Sequence, residues 1–121
     1  MIVPKTQRIF LPILILFLFV HCSPVRRYRS EARYWEEDIR NLEQRDRIEN
    51  HPDNAVLFVG SSSIRLWSTI DEDMKPYAVI QRGYGGAKLS DLACYAERII
   101  YPHRFSALVL FVANDISGSQ F

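Results

Sequence analysis

Ala55-Val56-Leu57-Phe58-Val59 runs directly into Gly60-Ser61-Ser62-Ser63-Ile64-Arg65-Leu66-Trp67, and the fold turns on this junction. An apolar run rich in β-branched and aromatic residues ends in glycine and small hydroxyl residues. It then resumes with a helix-compatible segment, which predicts a strand, a tight turn and a helix N-terminus. Such a turn holds a serine hydroxyl at the C-terminal edge of a sheet, beside backbone N–H groups that can stabilise negative charge. Serines also cap helices and fill turns, so the serine string by itself is a weak signal.

The strand at 55–59 is joined by two more buried-type strands, at about 78–80 and 107–112. The last, Ala107-Leu108-Val109-Leu110-Phe111-Val112, has no polar alternation, as expected of a strand covered on both faces. Between them lies a helical pattern with Leu89, Leu92, Ala93, Ala96 and Ile99 or Ile100 on one side, ended by Tyr101-Pro102. An earlier helix is expected from about Ser30, as N-cap, to about Asn50, with Ala32, Trp35, Ile39 and Leu42 on its core face. Glu36–Arg40 and Glu43–Arg47 would be i,i+4 pairs on a solvated side. Connections of this length allow parallel crossovers, so the fold class is α/β with βαβαβ order and parallel pairing.

In an open parallel sheet the reactive site lies beyond the carboxyl ends of the strands. Three loops emerge there: Gly60 to Ser63, Gln81-Arg82-Gly83-Tyr84-Gly85-Gly86, and Ala113-Asn114-Asp115-Ile116. Acyl transfer needs a nucleophile and donors aimed at a developing oxyanion. Ser62 can be the nucleophile, with its own N–H, the Gly86 N–H and the Asn114 carboxamide as donors. Gly86 suits the role because a residue without Cβ lets backbone approach a ligand closely. The alternative, that these glycines only turn the chain and Asn114-Asp115 only cap a turn, is favoured for each segment taken alone. It loses when all three occur at successive strand ends.

Gly60-Ser61-Ser62-Ser63-Ile64, the Gly83–Gly86 segment and Asn114-Asp115 resemble, in order and spacing, the first three blocks of the SGNH (GDSL-type) hydrolases. Leu57 to Trp67 and Gln81 to Asp91 are similar to a subgroup that reads Gly-Ser-Ser-Ser-Ile-Arg-Leu-Trp in place of Gly-Asp-Ser. The resemblance covers residues 55–118. It implies a flavodoxin-like three-layer α/β/α sandwich, incomplete here, and hydrolysis of ester bonds in lipids, acylated sugars or other small acyl esters. By position in the blocks, Ser62 matches the nucleophile, and Gly86 and Asn114 the oxyanion donors; no cofactor or metal is implied. Val112 stands where the family's third block usually has glycine. The family's late Asp-x-x-His block, source of the general base, is not found before Phe121. His103 and His51 precede strands, and a six-residue strand puts His103 about 20 Å from the Asn114 end, too far to serve. His103 therefore reads as a surface or helix-end residue. The chain alone is expected to give no appreciable turnover, with a non-catalytic exported lipoprotein or pseudoenzyme as the alternative.

The N-terminus differs in kind from the rest. Lys5 and Arg8 precede the almost uncharged run Ile9 to Val20, which breaks at His21. This reads as a bacterial export signal over residues 1–22, the run being shorter than the roughly 18 apolar residues of a spanning helix. Cys22-Ser23-Pro24 resembles the lipidated cysteine of bacterial lipoproteins, although His21 and Phe19 depart from that pattern. Lipidation with membrane attachment, and simple cleavage, both stay open, and the product is periplasmic, membrane-anchored or secreted. Residues 23–54 form a linker and helix, and 55–121 a partial hydrolase domain. Of 15 Lys and Arg, Lys5 and Arg8 leave with the signal, so 13 stand against 14 Asp and Glu. That balance argues against nucleic-acid binding. Arg26, Arg27 and Arg29 read as a solvated linker, or as a patch against anionic lipid. Cys94 reads as a core residue, Trp67 as a packing anchor, Arg65 as part of an ion pair and Asp115 as a loop-holding residue. Asp71, Glu72 and Asp73 lack metal-ligand spacing.

Overall fold

The computed structural model describes residues 28–30 and 32–114. The expected export signal, Cys22 and Asp115 lie outside the described residues. Among those described, no helix is long and apolar enough to cross a membrane.

Three parallel strands form the sheet: β1 (Val56–Gly60), β2 (Val79–Gly83) and β3 (Ala107–Phe111), in the order β2-β1-β3. Helix α1 (Glu36–Ile48) precedes β1. Short helices α2 (Ser62–Arg65) and α3 (Ile70–Asp73) link β1 to β2, and α4 (Leu89–Ile99) links β2 to β3. Alternation along the strands divides the core in two. Leu57, Val59 and Ile80 pack with Ile39 and Leu42 of α1 and with Leu92, Tyr95 and Ile99 of α4. Val56, Phe58 and Val79 pack on the opposite face with Ile64 of α2 and Ile70 of α3. Helices therefore cover both faces of β1 and β2, and the parallel α/β class is borne out.

Several local expectations are corrected. The first helix is not capped by Ser30, since residues 28–30 and 32 are already helical; a 3-10 turn over Arg33–Trp35 follows, and α1 then opens with Glu36, Glu37 and Asp38 at its positive end. Glu36–Arg40 forms as expected. Glu43 turns instead to Arg98 of α4, which meets its two oxygens at 2.6 and 2.8 Å and reaches Glu36 at 2.9 Å. A forked guanidinium–carboxylate pair between helices holds better than one along a helix. The buried face of α4 carries Tyr95, whose hydroxyl donates to the Ala32 carbonyl at 2.7 Å, while Leu89 and Ala93 are exposed.

β2 continues to Gly83, so Gln81 and Arg82 are strand residues rather than loop. Arg82 is fully buried and ion-paired to Asp46 and Glu49, at the end of α1. This part of the helix was expected to be a wet face, and it is where a buried charge finds its partners. His103, expected as a surface or helix-end residue, is not at the surface: only 8% of its side chain is exposed, and it stands 3.4 Å from Asp46. β3 is exposed at all five residues, at one edge of the sheet.

Candidate functional site

Strand register brings the three loops to one rim. Gly60 lies opposite Gly83 on one side and Phe111 on the other, so all three strands end level. β1 is central, and the turn carrying Ser62 therefore leaves the sheet between the loops that carry Gly86 and Asn114. Two main-chain bonds tie the rim together: Ser61 N–H to the Phe111 carbonyl at 3.1 Å, and Tyr84 N–H to the Gly60 carbonyl at 3.0 Å.

Ser61 is extended and buried, and Ser62 opens α2, partly exposed. Among the described residues, no hydrogen bond engages the Ser62 hydroxyl. Gln81 fixes this turn from beneath. Its side-chain amide donates to the carbonyls of Ile64 at 2.6 Å and Trp67 at 3.0 Å, reinforcing the longer main-chain bonds these accept from Trp67 at 3.2 Å and Ile70 at 3.4 Å. β2 also approaches closely: a Cβ on Gly83 would collide with the backbone of Arg65. Trp67 is a packing anchor as expected, edge-on to Phe58 with ring centroids 5.8 Å apart, and its indole N–H donates to Asp73 at 2.6 Å. Arg65, expected in an ion pair, is exposed and makes none among the described residues.

Gly86 and Asn114 come together. A Cβ built on Gly86 would stand 3.9 Å from Asn114 Nδ2, and that amide donates to the neighbouring Ala87 carbonyl at 3.0 Å. This hydrogen bond holds the carboxamide against the glycine loop and uses one of its two N–H groups. The residue that cannot carry a side chain here is Gly85, with φ of +22° and the Trp35 ring where its Cβ would go.

His51 and His103 lie away from this rim. They line a cavity of about 290 Å³ with Asp46, Glu49, Arg82 and Arg104, before the starts of β1 and β3. Burial pushes His103 below the ordinary imidazole value, and Arg82 and His51 push the same way against Asp46. No cluster of three or more metal-ligating side chains occurs among the described residues. The roles of Gln81, Arg82 and Trp35 at these places are not evident from local sequence. A signal exists for the first two, since polar residues directly following an apolar strand can belong to it and need buried partners.

Neither a family model nor a curated protein matches the chain. Among solved structures it is similar to one described as a "putative platelet activating factor" from Streptococcus pneumonia, at 16% identity and a TM-score of 0.52. The match covers 78% of this chain and 46% of that one, so the chain spans about half the length of the structure it matches. At this identity the likeness speaks to the fold: a parallel α/β sheet flanked by helices.

Proposed function

We propose that this chain is part of an exported serine ester hydrolase of SGNH type. The observation that carries the reading is the rim itself. A hydroxyl-bearing turn, a glycine loop and a carboxamide stand at three level strand ends, with the Gly86 and Asn114 groups adjacent. The distant structural likeness supports an α/β scaffold of this kind.

In this reading Ser62 Oγ attacks the carbonyl carbon of a small acyl ester. The carbonyl oxygen takes up the negative charge, stabilised by the N–H groups of Ser62 and Gly86 and by Asn114 Nδ2. Collapse expels the alcohol and leaves an acyl-serine, which water then hydrolyses. A base must take the serine proton, and neither described histidine lies at this rim. An Asp-x-x-His pair of the kind the resemblance implies would supply it. The export signal, lipidated at Cys22 or simply cleaved, would place the reaction outside the cytoplasm, on lipid or acylated carbohydrate.

The test is hydrolysis of p-nitrophenyl acetate. The 121-residue chain is expected to match its Ser62→Ala variant, whereas a protein completed with an Asp-x-x-His segment is expected to turn over and to lose activity on the same substitution. The distance of both described histidines from the rim also favours a second reading, a non-catalytic exported protein that keeps the fold for binding. A completed protein that stays inactive would select it.

A further inference from the structure

Trp35 precedes α1 in sequence and lies against the glycine loop in space. Its ring carbons Cε3, Cζ3 and Cη2 fill the position a side chain on Gly85 would take. On the adjoining edge, Cζ2 is 3.9 Å from where a Gly86 methyl would sit, the same distance as Asn114 Nδ2. A Gly86 methyl would therefore touch both the indole and the carboxamide. Aromatic neighbours hold the indole edge-on, Tyr84 at 5.8 Å and Tyr34 at 4.7 Å between ring centroids. Trp35 packs against the same core cluster as Ala32, Ile39 and Leu42, yet unlike them it stays partly exposed, and its outer ring carbons reach Gly85 and Gly86.

We propose that Trp35 is a positioning residue for the candidate oxyanion pocket: its indole braces Gly85 and Gly86 so that the Gly86 N–H and the Asn114 carboxamide share one rim. The proposal rests on the reading of those two groups as oxyanion donors. A loop with adjacent glycines at 85 and 86 has wide backbone freedom, and donors contribute to catalysis only when fixed before charge develops. The aromatic wall supplies that rigidity.

Nitrogen-15 NMR of the 121-residue chain tests this, with methylphosphonate as a tetrahedral anion. The wild type is expected to show methylphosphonate shifts at the Gly86 amide and the Asn114 side-chain amide. Trp35→Ala should weaken that binding at least about tenfold, as small misplacements of a site do. It should also speed exchange of the Asn114 side-chain protons. Trp35→Phe should restore both. Slow exchange of the Leu57 and Val59 amides reports that the fold persists; should Trp35→Ala lose it, Trp35→Leu takes its place with the same readouts. Unchanged binding and exchange in the truncated variant overturns the proposal, and so does failure of phenylalanine to rescue. If the wild type shows no methylphosphonate shift while Asn114 exchange still depends on Trp35, the oxyanion reading fails and the brace stands.

Discussion

β1 (Val56–Gly60) and β3 (Ala107–Phe111) are hydrogen-bonded neighbours written in the same apolar alphabet. Every residue of β1 is buried, while every residue of β3 is exposed, with Leu110 at 45% and Phe111 at 47%. The difference lies in what surrounds them. β1 has helices over both faces, and so does β2 although it too ends the sheet; β3 at the other edge lacks that helix cover. An uninterrupted apolar run thus records the covering a strand is built for, and the helices packed on its faces decide whether it receives it.

The largest expected effect is on the covered side. Arg82 in β2 lies opposite Val59 and is paired to Asp46 and Glu49 with none of its side chain exposed. Arg82→Leu would strand two carboxylates in a part-buried site, and should cost about 3–5 kcal/mol in urea unfolding. An unchanged midpoint would mean that solvent already reaches the pair. Next comes a matched substitution, since Leu57 of β1 and Leu108 of β3 are register partners. Leu57→Ala empties a fully buried position and should cost about 2–5 kcal/mol. Leu108→Ala, at a residue 42% exposed, should cost well under half of that. Equal costs would show that β3 is covered in solution, and the contrast between the strands would vanish.

Acid should act on the covered side in two stages. His103 is held below its ordinary 6.5, first by burial and then by Arg82 and His51, against Asp46 and Glu49. The unfolded chain therefore protonates this residue first. Stability should fall as pH drops below 6.5, and level off once the folded histidine is protonated as well. For Glu49 burial opposes the charged form, yet hydrogen bonds from Arg45 and His51 and the charge of Arg82 hold it at about 2 against an ordinary 4.5. Its contribution is complete above 4.5 and is lost as pH falls towards about 2. His103→Gln should remove the upper stage and leave the lower, read from unfolding midpoints between about pH 8 and 3. An upper stage that survives the substitution would assign it to another group.

These contrasts also mark how far the sequence can be read. Three strands, their parallel order and the three loops at one rim follow from local patterns: apolar runs, turn residues and connection length. The level register of Gly60, Gly83 and Phe111 follows once those runs are paired. Arg82 reads as loop because a charge after an apolar run normally ends a strand, and its partners lie on a helix distant in sequence. His103 reads as a surface residue for the same reason, since only the assembled helix brings Asp46 beside it. Trp35 reads as a core-face residue, and nothing local ties it to Gly85. Local pattern carries element types; it does not carry contacts between residues far apart in the chain.

The smallest effect on folding, and the sharpest on behaviour, is expected at the uncovered edge. Leu110 pairs with Val59 yet remains nearly half exposed, on a strand whose outer edge has no partner strand among the described residues. Natural edge strands commonly carry a charge, often lysine, that blocks pairing with another chain, and β3 has none. Leu110→Lys removes apolar surface that is already partly in water, so the unfolding midpoint should move by no more than about 1 kcal/mol. Self-association should respond much more strongly, because a lysine ammonium at the edge must be desolvated before another strand can add. Sedimentation across a concentration series is expected to show the wild type associating and the lysine variant shifted towards monomer. The matching Val59→Lys, one strand inward, should instead unfold the chain, since that position has no exposure through which the charge can escape. If both substitutions unfold it, β3 is structurally covered in solution and the two strands are alike after all.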